Sequence, residues 1–218
     1  SKEIEVLYSV EQTNVQACWR HRHLIQLGET LRKSIHLSSL IIPLGYRYLL
    51  SFNRSLGFSI LLIAFTISLV IEFYRFWQKG FRKTFYRIFG IILRKHEFKD
   101  FTGATYMLFA AVLCVAFFPP LIASCAMAFL TIGDTFAALV GINFGKRWYI
   151  KQNKSLEGSL ACFVSCSVFG IFWLGSPFLA VLGALAATLA ELSNIPIDDN
   201  ITIPIFSALV MTLLSIVI

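Results

Sequence analysis

The stretch Gly133–Ser159, GDTFAALVGINFGKRWYIKQNKSLEGS, sets an acid inside an apolar run and follows it with a basic, glycine-bounded loop. The run around Asp134, Leu121–Ile142, is long enough to cross a hydrocarbon core of about 30 Å. A carboxylate in such a segment costs on the order of 3 kcal/mol or more, so it usually persists because it binds something. Ala138, Gly141 and Gly145 follow Asp134 along one helical stripe. Close helix packing explains those small residues but not the acid. Lys146, Arg147, Lys151 and Lys154 then place four cations before Ser155-Leu156-Glu157-Gly158. Carboxylates beside lysines suit magnesium held on the phosphates of a nucleotide. The candidate nucleotide contacts in this stretch are Gly141, Asn143, Gly145, Lys146, Lys154, Ser155, Glu157 and Gly158. The loop is not a Walker A motif, because G-x-x-x-x-G-K-[ST] is absent.

Outward from this stretch, the composition is that of a membrane protein. Of 218 residues 57% are hydrophobic and only 14% charged, and the mean hydropathy is +0.73. Seven apolar runs qualify as spans: His36–Leu50, Leu56–Phe73, Gly103–Phe118, Leu121–Ile142, Leu156–Leu174, Pro177–Leu192 and Ile201–Ile218. The fold expected is all-α, a polytopic membrane bundle of about seven helices. Residues 1–28 are a polar N-terminal segment and 29–218 a single membrane-embedded domain; no signal peptide is legible in residues 1–35. In residues 80–95, Phe81, Phe85, Ile88, Phe89 and Ile92 share a helical face, with Arg82, Lys83, Arg87, Arg94 and Lys95 interleaved. That is either an amphipathic helix in the membrane interface or a solvated basic loop anchored by aromatics. Four of the five cysteines lie in apolar runs without metal-ligand spacing and read as packing residues.

Charge sets the orientation. Of 19 Lys and Arg, only Arg47 and Arg54 fall outside residues 1–35, 74–103 and 143–156. With seven spans these three regions face one side, which the positive-inside rule makes cytoplasmic. The net charge of +7 is mainly this topology signal, and no nucleic-acid-binding module accompanies it.

Three further clusters reach the same side. Glu29, Arg32 or Lys33, and His36 lie at helical spacing on one face leading into the first span. Arg32 and Lys33 are candidate phosphate contacts; Glu29 and His36 are candidate substrate contacts, with His36 orienting the substrate or exchanging a proton. Thr102 and Gly103 either cap the third span or touch substrate. Asp198-Asp199-Asn200 puts adjacent acids in a link on the basic side. The opposite-side links carry no carboxylate, which argues against a transport pathway through the bundle. Acids, bases and glycines gathered at one end point to an active site at the membrane boundary.

The motifs E-x-x-R-K-x-x-H (Glu29–His36), T-G-A-T-Y (Thr102–Tyr106), G-D-T-x-A-A-x-x-G-x-x-x-G-K with K-S-L-E-G-S (Gly133–Lys146, Lys154–Ser159) and D-D-N-x-T-I-P (Asp198–Pro204) stand in an order that resembles the polyprenol kinase family. That family includes dolichol kinase, phytol kinase and CTP-dependent diacylglycerol kinase. The resemblance covers Glu29 to the C-terminus. It implies a lipid alcohol as substrate, CTP as phosphoryl donor and Mg²⁺ as cofactor. Asp134, Asp198 and Asp199 would be the metal carboxylates, and Asp134, Asp199, His36 and Lys154 the catalytic set. The choice of base between a carboxylate and His36 stays open. CDP-diacylglycerol synthases share a similar D-x-x-A-x-x-x-G-x-x-x-G block, so a cytidylyltransferase acting on a lipid phosphate is the alternative. Their C-terminal H-G-G and D-R-x-D signature is missing here, where Asp198-Asp199-Asn200 stands instead.

Overall fold

A computed structural model describes residue 28 and residues 30–94, 96–146, 148–149, 154–193 and 195–217. The polar N-terminal segment up to residue 27 and the candidate substrate contact Glu29 lie outside the described residues. Residues 30–38 are helical. They are followed by α1 (Ile41–Tyr48), α2 (Arg54–Trp77), α3 (Lys79–Phe89), α4 (Gly103–Phe117), α5 (Pro120–Phe144), α6 (Leu156–Leu174), α7 (Pro177–Leu192) and α8 (Asp199–Val217). Strands β1 (Trp148–Tyr149) and β2 (Lys154–Ser155) make a two-residue antiparallel ladder between α5 and α6, with Trp148 opposite Ser155. The all-α membrane bundle expected from the sequence is the fold observed.

Among the described residues four helices, α2, α5, α6 and α8, are long and apolar enough to cross a membrane, and α4 and α7 are shorter apolar helices. The first expected span differs. His36–Leu50 is broken by a turn at residues 39–40 into the helical segment 30–38 and the eight-residue α1. Pro43 explains the break, since it has no N–H to donate to Ser39 and its ring would clash with that carbonyl in a continuous helix. Ile42 donates to the Ser39 carbonyl instead, and the Ser39 hydroxyl lies 3.2 Å from that of Thr131 on α5. Neither piece is long enough to span.

Helix α5 is the centre of the bundle. Two-thirds of its apolar window is buried, against 17% for α2. It packs on α1, α4, α6, α7 and α8. Phe129 of α5 is fully buried, and α6 and α7 close on its ring at Gly170 and Gly183, where a Cβ would stand 2.9 and 3.2 Å from ring carbons. Cys114, Cys125, Cys162 and Cys166 are buried and reduced, as packing residues should be. Of the two readings of residues 80–95 the helix is observed, as α3, shorter than expected because the chain turns at Gly90. Phe81, Phe85 and Phe89 form its aromatic ridge.

A buried ion pair ties α2 to the segment before α4. Arg75 and Glu72, one turn apart near the end of α2, pair directly and are almost wholly removed from solvent. Arg75 donates to the carbonyls of Glu97 (2.8 Å) and Asp100 (2.6 Å). Glu72 accepts from Thr102 N (2.9 Å) and the Thr105 hydroxyl (3.3 Å). The Arg75 guanidinium also lies 5.4 Å from the Phe85 ring centroid, which holds α3 against the same corner. Replacing Arg75 with Leu leaves Glu72 buried without its partner. It should destabilise the detergent-solubilised protein by about 3–5 kcal/mol in denaturant unfolding, and Glu72→Gln/Arg75→Leu together should cost less than Arg75→Leu alone.

Candidate active site

The helices alternate in direction, so the end of α5, the start of α6, the end of α7 and the start of α8 meet at one end of the bundle. The polar residues singled out in the sequence collect there in two adjoining groups.

The first group surrounds Asp134. Lys33, from the helical segment 30–38, reaches across to α5 and places its ammonium 2.5 Å from Asp134 Oδ2 and 2.9 Å from the Asp134 carbonyl. His36 lies one turn further along, with Nε2 3.6 Å from the same carboxylate oxygen. That nitrogen is buried and has no hydrogen-bond partner among the described residues. Burial pushes the Lys33 ammonium and the His36 imidazole below their ordinary values, against the opposing pull of Asp134.

These groups form the polar end of a cavity of about 290 Å³ that Arg32 also lines. Thr102 and Gly103 reach it from the start of α4, and Asn200 from the start of α8. The other wall is apolar, made by Phe85 and Phe89 of α3 with Ile92, Leu93 and Met107. Glu97 braces the wall between the two. Its carboxylate accepts from Arg94 N (3.1 Å) and Gly103 N (3.2 Å), and a Cβ on Gly103 would stand 3.0 Å from the Asn200 amide nitrogen.

The second group is centred on Lys154. Ser155 caps α6 by accepting from Gly158 N (3.1 Å), which fixes the chain direction just after Lys154. The Lys154 ammonium then lies 3.3 Å from both Glu191 Oε1 and Asp199 Oδ2, and it donates to the Glu191 carbonyl. The Ser159 hydroxyl donates to the other Glu191 oxygen at 3.5 Å. Gly141, Gly145 and Gly158 provide the close approach of α5 to α6. A Cβ on Gly158 would lie 2.6 Å from the Ala137 carbonyl and 3.3 Å from Gly141 Cα.

Not every candidate joins these groups. Asn143 is exposed and its amide donates to Leu139 of its own helix. Lys146 is exposed, and its backbone N–H donates to Glu157 at 3.2 Å. Asp134, Asp198 and Asp199 do not make a three-acid cage: among the described residues no three acids, histidines or cysteines form one. Asp198 is engaged elsewhere, because it caps α8 by accepting from Asn200 N (2.9 Å) and faces Arg94 and His96 at 4.0 and 3.9 Å. Sequence reasoning passed over Glu72 and Arg75, and it quoted Asn200 in the last motif without giving it a role. An Arg and a Glu three residues apart within the last turns of an apolar helix were the available signal for the first two.

The family follows from comparison of the whole chain with known proteins. An uncharacterized protein of Rickettsia prowazekii, RP860, is 30% identical over 85% of this chain and 94% of its own length. The CTP-dependent diacylglycerol kinase 1 of Schizosaccharomyces pombe is 27% identical over 90% of this chain and 95% of its own. That of Eremothecium gossypii is 30% identical over 69% of this chain, which spans 56% of the fungal protein. This chain belongs to the polyprenol kinase family. No family model matches it, and no solved structure does. Within the family frame, the motif glycines join α5 to α6 at the point where Lys154 is aimed. Gly158→Ala should therefore cost about 1–3 kcal/mol through overpacking against backbone. Gly80→Ala, with nothing within 4 Å of the new Cβ on α3, should not destabilise the protein in the same denaturation assay.

Proposed function

We propose that this protein is a membrane-embedded lipid kinase that transfers the γ-phosphate of CTP to the hydroxyl of a lipid alcohol at the cytoplasmic boundary. Diacylglycerol is the first substrate to consider, because the fungal relatives are named for it. Polyprenols and other isoprenoid alcohols present the same hydroxyl on an apolar tail. The observation that carries the reading is the Lys33–Asp134–His36 cluster at the polar end of a cavity whose other wall is aromatic and aliphatic.

The residues fit a nucleotide held through Mg²⁺. Mg²⁺ commonly uses one or two protein carboxylates, with phosphates and water completing its octahedron, so a three-acid cage is not required. When bound, it would supply positive charge that offsets the charge of the phosphates during transfer. Asp134 supplies the carboxylate in the cavity and Asp199 the second, at the start of α8. Lys33, Arg32 and Lys154 face the phosphates as cations, with Lys154 aimed by Glu191 and Asp199. The apolar wall of Phe85, Phe89 and Leu93 receives the lipid tail and keeps water away, and α3 borders its route in from the bilayer. His36 Nε2, buried and unpartnered, accepts the hydroxyl proton. As that O–H bond breaks, the lipid oxygen bonds to the γ-phosphorus and CDP leaves with the electrons of the cleaved P–O bond.

The test uses purified protein in detergent with Mg²⁺, γ-labelled CTP and a panel of diacylglycerol, polyprenol, farnesol-type and phytol-type alcohols. Label should move to a lipid alcohol. Pyrophosphate release with phosphatidic acid, and no labelled lipid, would identify a cytidylyltransferase instead. Asp134→Asn should lower kcat by about 10²–10³-fold, the scale for losing one preorganised electrostatic contact. Since a base must be neutral and burial lowers the His36 value, kcat/KM should hold as pH falls through about 6.5 and drop only below it. His36→Gln should remove that acid limb.

A further inference from the structure

A second feature, independent of the catalytic reading, runs along the outside of the bundle and ends at its opposite end. A groove of about 680 Å³ runs along the outside of α6 and α5. On α6 its floor and sides come from Ala161, Val164, Ser165, Val168 and Phe172, which recur at helical spacing along one stripe. Ile132 and Phe136 of α5 form the facing wall. From Ala161 to Trp173 the stripe rises about 18 Å, close to the roughly 15 Å of one leaflet of a ~30 Å hydrocarbon core. Val164, Val168 and Phe172 are half or more exposed, so the groove opens sideways to the surroundings of the bundle.

The groove ends on a cation. Arg47 of α1 donates through Nη1 to the Trp173 carbonyl at 3.0 Å, and its guanidinium lies 4.4 Å from the Trp173 ring centroid, beside Tyr48. Among the described residues its other nitrogens meet no carboxylate. No Asp or Glu occurs between residues 30 and 71, nor in the links at 118–119 and 175–176 that share this end. Arg54, bonded to the Phe118 carbonyl, adds a second uncompensated cation there. Two arginines on the side opposite the basic regions run against the charge trend of the chain, and two aromatic side chains at the same level mark a membrane interface.

We infer that this groove is a binding site for an anionic phospholipid of the leaflet opposite the catalytic end, with one acyl chain along α6 and the phosphate on Arg47. The length matches a leaflet, the lining matches an acyl chain, and the guanidinium supplies the fork that phosphate oxygens accept from. The site is separate from the cavity at Asp134 and does not depend on the reaction assigned to it.

Trp173 lies in the groove, so it can report its occupant. The experiment uses the full chain with Trp19, Trp77 and Trp148 replaced by Phe, in phosphatidylcholine vesicles containing a minor fraction of acyl-brominated phosphatidylglycerol or acyl-brominated phosphatidylcholine. Quenching of Trp173 should show about a fivefold preference for the anionic lipid, the scale of one cation at a membrane surface. Arg47→Gln should abolish that preference. Ser165→Phe, which fills the floor and keeps Arg47, should reduce quenching by phosphatidylglycerol to the phosphatidylcholine level, and it carries the test alone if Arg47→Gln does not fold. Equal quenching by the two lipids in the parent protein would mean bulk acyl chains fill the groove and would overturn the inference. A preference that survives the substitutions would place the anionic site elsewhere and overturn it too.

Discussion

The Lys33–Asp134 ion pair is the constraint around which the site is organised. Asp134 stands well inside α5, the most buried helix of the bundle, where a lone carboxylate would be costly. Lys33 meets both its side chain and its carbonyl from 101 residues away in the chain. That reach holds the helical segment 30–38 against α5 and brings Arg32 and His36 into the same cavity. The pair thus closes one wall of the site while it compensates a buried charge. A phosphate that takes up Lys33 competes with Asp134 for the ammonium, and a cation on Asp134 relieves that competition. The chemistry proposed for the site and the electrostatics of the cluster are therefore two uses of the same charges.

The second polar group depends on packing rather than on reach. Lys154 points at Glu191 and Asp199 because Ser155 ends the β-ladder and starts α6 at a fixed angle, and because Gly141 and Gly158 let α5 and α6 touch through backbone. The glycines contribute no chemistry. They set the distance at which a cation from one link meets acids from the end of α7 and the start of α8.

Much of this was legible in the sequence. The apolar runs from α4 to α8 were found within a few residues of their ends, because 15 to 25 apolar residues between polar links leave little choice of structure. Asp134 stood out because a single acid in such a run has no ordinary explanation. Arg32, Lys33, His36, Thr102 and Gly103 come from two separate segments, and they line one cavity with Asp134 from a third. The first span was misjudged because hydropathy counts Pro43 as one more tolerable residue, whereas the helix loses a hydrogen bond and meets a ring there. Asp198 and Asp199, neighbours in sequence, face different partners because one is a cap and the other begins the helix. The bonding of the wall made by Glu72, Arg75 and Glu97 was not legible, since its hydrogen bonds run to backbone atoms whose position only the tertiary structure sets.

The Glu72–Arg75 pair also bears on how the chain is made. Asp134 is synthesised long after Lys33, so its partner already exists when it leaves the ribosome. Arg75 is in the opposite position, because the Glu97 carbonyl that it binds comes 22 residues later. At about 5–20 residues per second that gap is roughly 1–5 s. During it the two charges at the end of α2 can satisfy only each other and water. The corner that braces the cavity can therefore close only once the start of α4 has been made, whereas the Lys33–Asp134 pair on the facing wall has to wait for α5.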